Sequence, residues 1–205
     1  MKIIYGTTNN GKVNQVREFF EATGVKDIEF LSLKDIGFND EIIGIENGKT
    51  FEENSMIKAK AIKEFCDKKE IKEIIVTDDT GLCVECLNGE PGIYSGRYAS
   101  NDMIHDASQE ANINKLLENM KKTGSTNRNA KFVCVLTAVL PNGEFKQVRG
   151  ECLGKIAEKP GEMGKLTYGP VFIPEGSNKV MNEMKPEEIG NTHREKAFLE
   201  LIKIL

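Results

Sequence analysis

Hydrophobic and polar positions follow two periods along this chain. Residues 2–6, "KIIYG", are a short apolar run and predict a strand. From about Lys12 the apolar positions Val13, Val16 and Phe20 recur at helical spacing, so a helix follows. Residues 40–50, "DEIIGIENGKT", keep neither period and read as a loop. A second helix is predicted from Phe51 to about Lys68, with Phe51 and Ile62 toward the core and the charge cluster "DKKE" at its end. "EIIVTDD" reads as a short buried strand ending in two acids. "LCVECL" continues as strand, and "NGEPG" breaks the run with turn residues.

A long helix is predicted over Met103 to Lys121, with Ile113, Leu116, Leu117 and Met120 at core spacing. "NAKFVCVLTAVL" and "EFKQVRGECLG" flank Pro141-Asn142-Gly143, the pattern of a long β-hairpin. The last helix is expected to start near Thr192. Thr192 and Glu195 have capping-box spacing, and Phe198, Leu201, Ile202 and Leu205 make a buried stripe. Helices and strands intermix without repeats or linkers, and the hairpin argues against a purely parallel sheet.

Composition narrows the function classes. Hydrophobic residues are 39% and charged residues 29%, as in an ordinary soluble globular protein. A net charge of -4 argues against a broad basic surface for nucleic acid, so any phosphate binding is local. No apolar run approaches the ~18–20 residues of a membrane span, and "MKIIYG" is too short for a signal peptide. A cytoplasmic location is the default expectation. Five cysteines are an odd count without a secretion signal, which favours thiols over a disulfide framework.

The chemistry starts at Gly6, followed after four residues by Gly11-Lys12, the P-loop spacing. A P-loop continues with Ser or Thr to hold magnesium, whereas this chain has Val13. A strand–loop–helix junction still offers backbone N–H groups and a helix N-terminus to an anion. Thr7, Thr8, Asn9 and Asn10 would add hydrogen bonds and Lys12 a full charge. The plain alternative is a turn with its lysine in water. "IIVTDD" also resembles a Walker B strand, although Val13 and the run-on into "TGL" count against a P-loop NTPase.

Four acids, Glu46, Glu53, Asp78 and Asp79, are candidate magnesium ligands. Adjacent Asp78 and Asp79 cannot both face one way on a regular strand, so one would bind metal while the other anchors the loop. Asn54 and Lys58 share a helix face and could reach a phosphate together, but read alone they are an exposed polar face. His193 and Arg194 stand in the first turn of the last helix, where cations oppose the macrodipole; a nearby anion or a solvated pair would each account for them. Cys83-x-x-Cys86 has no second pair to complete a zinc site, and on a strand its thiols would point to opposite faces.

Four segments in order, from Thr7 to Arg194, resemble the inosine/xanthosine triphosphate pyrophosphatase (ITPase-like) family. Thr7-x-Asn9-x-x-Lys12 is similar to its phosphate loop. "TFEENSMIKAKA" resembles its F-x-E-N-A-x-x-K-A helix, with Ser55 for Ala. "TDDTGLCVECLNGEPGIYSGRYA" resembles its D-D-S-G-L…G-x-P-G-x-Y-S-A-R-Y segment, and "NTHREKA" its closing S-H-R. The resemblance implies an α/β fold: one domain over residues 1–205, a mixed sheet with flanking helices, two lobes around a central cleft, and a homodimer. It implies hydrolysis of nucleoside triphosphates to monophosphate and pyrophosphate with Mg2+. Glu46 and Asp79, with Asp78 beside them, would serve the magnesium site, and Asp79 is the candidate base. Lys12 and Lys58 would stabilise the leaving pyrophosphate. Thr7, Thr8, Asn9, Asn10, Gly11, Lys12, Asn54, Thr80, Tyr168, His193 and Arg194 form the expected substrate-binding set.

The base pocket departs from the family. Its G-F-G-Y-D-P becomes Lys165-Leu166-Thr167-Tyr168-Gly169-Pro170, so Leu166 replaces a stacking aromatic and Gly169 a base-reading carboxylate. Ile189 stands where the family carries a lysine. The expectation is retained hydrolysis with relaxed or changed base preference. The rivals are a nucleotide binder without turnover and a P-loop-like NTPase releasing orthophosphate. No nucleic-acid or membrane partner is expected.

Overall fold

The Ile3-Ile4-Tyr5 run is fully buried and pairs on both sides, as an apolar run without alternation should. The computed structural model describes residues 1–7, 10–25, 28–38, 47–102, 105–164 and 166–205. Within these, strands β1 (Lys2–Tyr5), β2 (Glu29–Ser32), β3 (Ile74–Val84), β4 (Asn129–Val139), β5 (Phe145–Ile156) and β6 (Phe172–Pro174) form one sheet. Its order is β2-β1-β3-β4-β5-β6. The helices are α1 (Asn10–Thr23), α2 (Phe51–Lys68), α3 (Gln109–Thr123), α4 (Pro186–Ile189) and α5 (His193–Ile202).

β1 runs parallel to both β2 and β3. Parallel neighbours need long crossovers, which the α1 and α2 segments supply. β4 and β5 are sheet neighbours joined only through residues 140–144, a connection too short for anything but an antiparallel hairpin. The Gly143 N–H donates to the Leu140 carbonyl at 2.8 Å, and Gly143 takes φ 86°, which a side chain would resist. The sheet is therefore mixed, as the hairpin predicts.

The chain clusters into two compact units whose boundary falls inside β3, β4, β5 and α5. The first comprises residues 1–79, 135–149 and 197–205. An apolar cluster there joins Ile4, Leu33, Phe38, Ala59, Ile62, Cys66, Ile75 and Val139. Beside it Phe198 meets Tyr5 edge-on at 5.4 Å and both Phe20 and Phe30 at 5.9 Å. Phe198 is fully buried, so Phe198→Ala removes a ring from a closed aromatic cluster. We expect a loss of about 3–5 kcal/mol, read from the urea midpoint; a loss below about 1 kcal/mol would contradict this packing.

The second unit comprises residues 80–134 and 150–196. Its core joins Leu82, Val84, Tyr98, Ile113, Leu116, Met120, Phe132, Ile156, Tyr168 and Phe172. Ser95 ties two loops into this core. Its hydroxyl accepts from the Leu82 N–H at 2.8 Å, and its carbonyl accepts from the Tyr168 hydroxyl at 2.8 Å.

Most predicted elements form where the periodicity places them, and α2 matches at both ends. Three details differ. Helix α3 starts at Gln109 because Ser108 caps it, accepting from the Ala111 N–H; Met103 lies outside the described residues. "LCVECL" stays extended only to Val84, after which Glu85–Leu87 is a 3-10 turn closed by Asn88 at φ 53°. Leu205 is exposed, because α5 ends at Ile202 and the buried stripe ends at Leu201. The expected 40–50 loop lies largely outside the described residues, and 47–50 has no regular structure.

Candidate active site

Parallel pairing of β1 with β3 ends at Tyr5 opposite Val76, so Thr77, Asp78 and Asp79 run past the last paired residue of β1. The pair therefore sits mid-strand in β3, not at its end as the sequence implied. The chain leaving β1 turns against this segment: the Gly6 N–H donates to the Val76 carbonyl at 2.6 Å. A Cβ on Gly6 would lie 2.6 Å from the Thr77 methyl and 2.9 Å from Ile62, so only glycine fits. This close approach accounts for Gly6 without a P-loop. Val13 settles the matter: it is 1% exposed in the core and occupies the position where a P-loop would present its hydroxyl.

Both acids have cationic partners, and different ones. Lys12, in the first turn of α1, places Nζ 3.2 Å from Asp78 Oδ2. Asp78 is almost wholly buried, which suits it to holding Lys12. Asp79 keeps 12% of its side-chain surface, and Lys58 Nζ stands 3.6 Å from its Oδ1. Asn54 Nδ2 donates to Asp79 Oδ2 at 3.2 Å. The divergence expected of adjacent strand residues is thus observed.

Helix α2 is aimed by its N-terminus. Thr50 caps it, its hydroxyl accepting from the Glu53 N–H at 3.1 Å. Residues 47–50 lie tight against this turn, and the Gly48 N–H donates to Asn54 Oδ1 at 2.9 Å. A Cβ on Gly48 would collide with Asn54 and Glu53. Asn54 therefore spends its carboxamide on the protein, linking residue 48 to Asp79 while only 1% exposed. The exposed-face reading of Asn54 and Lys58 is overturned: both side chains are largely buried against Asp79.

Other expected site residues fall as follows. Thr8, Asn9 and Glu46 lie outside the described residues. Thr7 is half-buried beside the turn after β1, and Asn10 and Gly11 begin α1. Thr80 follows Asp79 on β3 and is half-buried. In the second unit, Tyr168 is 1% exposed and its hydroxyl donates to the Ser95 carbonyl. Burial pushes its phenol well above the ordinary tyrosine range. His193 and Arg194 are buried, which overturns the solvated-pair reading. His193 stacks on Phe132 with ring centroids 4.9 Å apart, and the predicted capping box forms, with Glu195 accepting from the Thr192 N–H at 2.7 Å. Cys83 is on β3 but Cys86 is in the 3-10 turn, so the two do not alternate on one strand, and neither is in a disulfide.

The donor chemistry suits magnesium, which takes hard oxygen from one or two carboxylates plus phosphates and water. Among the described residues no group of three or more His, Cys, Asp or Glu side chains could hold a metal. Asp79 is the accessible carboxylate, and the further acid implied by the resemblance, Glu46, is outside the description.

The Ham1 family model matches residues 3–204 of this chain. The chain belongs to the Ham1 family. It is 39% identical to the dITP/XTP pyrophosphatase of Bacillus subtilis (strain 168), over 98% of this chain and 96% of that protein. It is 38% identical to the dITP/XTP pyrophosphatase of Campylobacter jejuni subsp. doylei, over 100% and 96%. Among solved structures, the Staphylococcus aureus Ham1 protein superposes with a TM-score of 0.78 at 33% identity, covering 100% of this chain and 97% of that one.

Within this Ham1 chain two features escaped the sequence reading. Arg97, inside the quoted "GIYSGRYA", lies over the Tyr94 ring at 5.4 Å. Its buried Nε has no hydrogen-bond partner among the described residues. The second feature is Asn182. A Cβ on Gly169 would run into its carboxamide, as would one on Gly164. Asn182 also donates to the Glu162 carbonyl at 3.2 Å. The missing side chain at 169 leaves no hollow, because a residue 13 positions later fills it.

Proposed function

We propose that this chain hydrolyses nucleoside triphosphates of the dITP, ITP and XTP type to the nucleoside monophosphate and pyrophosphate, with magnesium as cofactor. The observation that carries the reading is the contact of Asp79 with Lys58 and Asn54, beside the Lys12–Asp78 pair. Family membership at 39% identity to a dITP/XTP pyrophosphatase supplies the substrate class.

The chemistry follows from these groups. Bound magnesium would lower the pKa of a coordinated water and offset phosphate charge. Lys58 beside Asp79 favours the ionised carboxylate, the form a base requires. Asp79 accepts a proton from water as the water oxygen bonds to the α-phosphorus. The bond from that phosphorus to the α,β-bridging oxygen breaks. Lys12 and Lys58 donate to the departing pyrophosphate, where negative charge accumulates. His193 and Arg194 remain in the proposed substrate-binding set on the family resemblance. A homodimer belongs to the same proposal, and sedimentation equilibrium tests it.

Base preference is the part of the reading specific to this chain. Leu166 cannot stack as an aromatic does, and Gly169 brings no carboxylate. We expect turnover of ITP, XTP, ATP and GTP within about 10-fold of one another, since Gly169 brings no carboxylate to read the base edge and stacking alone favours every base. Gly169→Asp alone will not restore selectivity, because the new side chain meets Asn182. Gly169→Asp with Asn182→Ala makes the room. Strong ITP and XTP selectivity in the unaltered protein would sink the relaxed-pocket reading.

Product chromatography with magnesium and ITP, XTP, dGTP or ATP tests the function. Monophosphate with pyrophosphate supports the proposal. Diphosphate with orthophosphate, or tight binding without product, overturns it.

A further inference from the structure

Behind the acids and lysines lies a closed set of hydroxyls that the proposed chemistry does not use. Ser55, Thr77 and Thr137 are each 0% exposed. The Thr77 hydroxyl donates to the Ser55 carbonyl at 2.7 Å. The Ser55 hydroxyl reaches Thr137 Oγ1 at 2.8 Å and the Thr77 carbonyl at 3.2 Å. Gln147 Nε2 donates both to Thr137 Oγ1 and to the Glu52 carbonyl, each at 2.9 Å. The set thus ties α2 to β3, β4 and β5, all within the first unit.

Its place in the chain gives it a consequence. Ser55 follows Asn54, and Thr77 precedes Asp78 and Asp79. The Thr77 methyl also packs at Gly6, where the chain turns toward Lys12. One side chain therefore touches all three segments that carry the site's charged groups. Apolar contacts such as Ala59 and Ile62 hold α2 on the sheet, but they are non-directional and tolerate a small slide. Hydrogen bonds weaken steeply with misalignment, so they fix the register.

We infer that Thr77, through its paired bonds with Ser55, is a positioning residue: it sets α2 against β3 so that Lys58 and Asn54 meet Asp79. The inference rests on the pyrophosphatase reading for its effect on rate, and on geometry alone for its effect on α2.

Two variants separate positioning from packing. Thr77→Val keeps the shape and the methyl at Gly6 but removes the hydroxyl. Thr77→Ser keeps the hydroxyl and removes the methyl. We expect Thr77→Val to lower kcat for dITP about 10-fold, since sub-ångström misplacement of reacting groups is costly. KM should stay within about twofold, because substrate binding is not what the hydroxyl serves. Thr77→Ser should keep most of kcat yet have the lower Tm, so activity and stability rank the two variants in opposite orders. Rates that simply follow Tm, or a fully active Thr77→Val, would overturn the inference.

Hydrogen exchange at the amides of residues 54–58 gives a readout that needs no turnover. Faster exchange in Thr77→Val than in Thr77→Ser supports the inference, and equal exchange counts against it. If the unaltered protein releases orthophosphate instead of pyrophosphate, the functional reading fails while the exchange contrast still decides this one.

Discussion

Asp79→Asn should lower kcat for dITP by about 10³-fold and leave the fold intact, a loss within the ~10²–10⁴ range of a general base. The substitution keeps the side-chain shape. It removes the negative charge that Lys58 approaches at 3.6 Å and replaces one acceptor oxygen with a donor. The remaining oxygen can still accept from Asn54, whose Nδ2 lies 3.2 Å from the native carboxylate. Asp79 is largely buried, and because asparagine nearly matches its size the packing around it is kept. The loss should therefore be in kcat, with the thermal midpoint within a few degrees of the unaltered protein. Pyrophosphate release at saturating magnesium and a circular-dichroism melt of the same sample measure both. Retention of more than about a tenth of the native rate would remove Asp79 from the role of base. A collapse of the melt would make Asp79 a structural acid instead.

Asp79 was legible in the chain because an acid beside an apolar strand is an uncommon local pattern. Lys12 and Lys58 were legible for the same kind of reason, each at a fixed offset inside a short segment. What the sequence could not supply was depth. Asn54 and Lys58 share a helix face, and period alone cannot say whether that face meets water or another charged group. The answer depends on Asp79, 25 residues from Asn54, and on residue 48 folding back onto the helix start. Tyr168 shows the same dependence on distant partners. It sits in a segment that resembles a nucleotide pocket, yet its hydroxyl is committed to Ser95, 73 residues away. His193 and Arg194 looked misplaced at a helix start because the macrodipole was weighed without Phe132, on which His193 lies. Gly169 reads as a loss in one dimension, and only the fold brings Asn182 into the vacated volume. Local rules placed the strands and helices, because period and caps are local. The misreadings concern pairs distant along the chain, which a single sequence does not encode in any short window.

Lys58→Met should cost about 10²–10³-fold in kcat, the loss seen when one preorganised donor to a developing anion is removed. Methionine keeps most of the stem length and volume, which matters because only 12% of the Lys58 side chain is exposed. Two effects act in the same direction. The leaving pyrophosphate loses a cation, and Asp79 loses the charge that favours its ionised form. Lys12→Met tests the two effects separately, because Lys12 pairs with Asp78 and not with Asp79. If leaving-group charge dominates, both variants lose kcat to a similar degree. If the state of Asp79 dominates, Lys58→Met loses far more, and its deficit shrinks as pH rises and the carboxylate ionises without help. Comparing the two variants between about pH 4 and 7, the range over which an ordinary carboxylate completes its ionisation, reads the difference directly. A Lys58→Met enzyme within about threefold of the native rate across that range would place the lysine outside the chemistry, as a structural partner of the acid only. Stability adds an independent check. Asp78 is almost wholly buried, so Lys12→Met takes a cationic partner from a desolvated carboxylate and should lower the melting temperature more than Lys58→Met does.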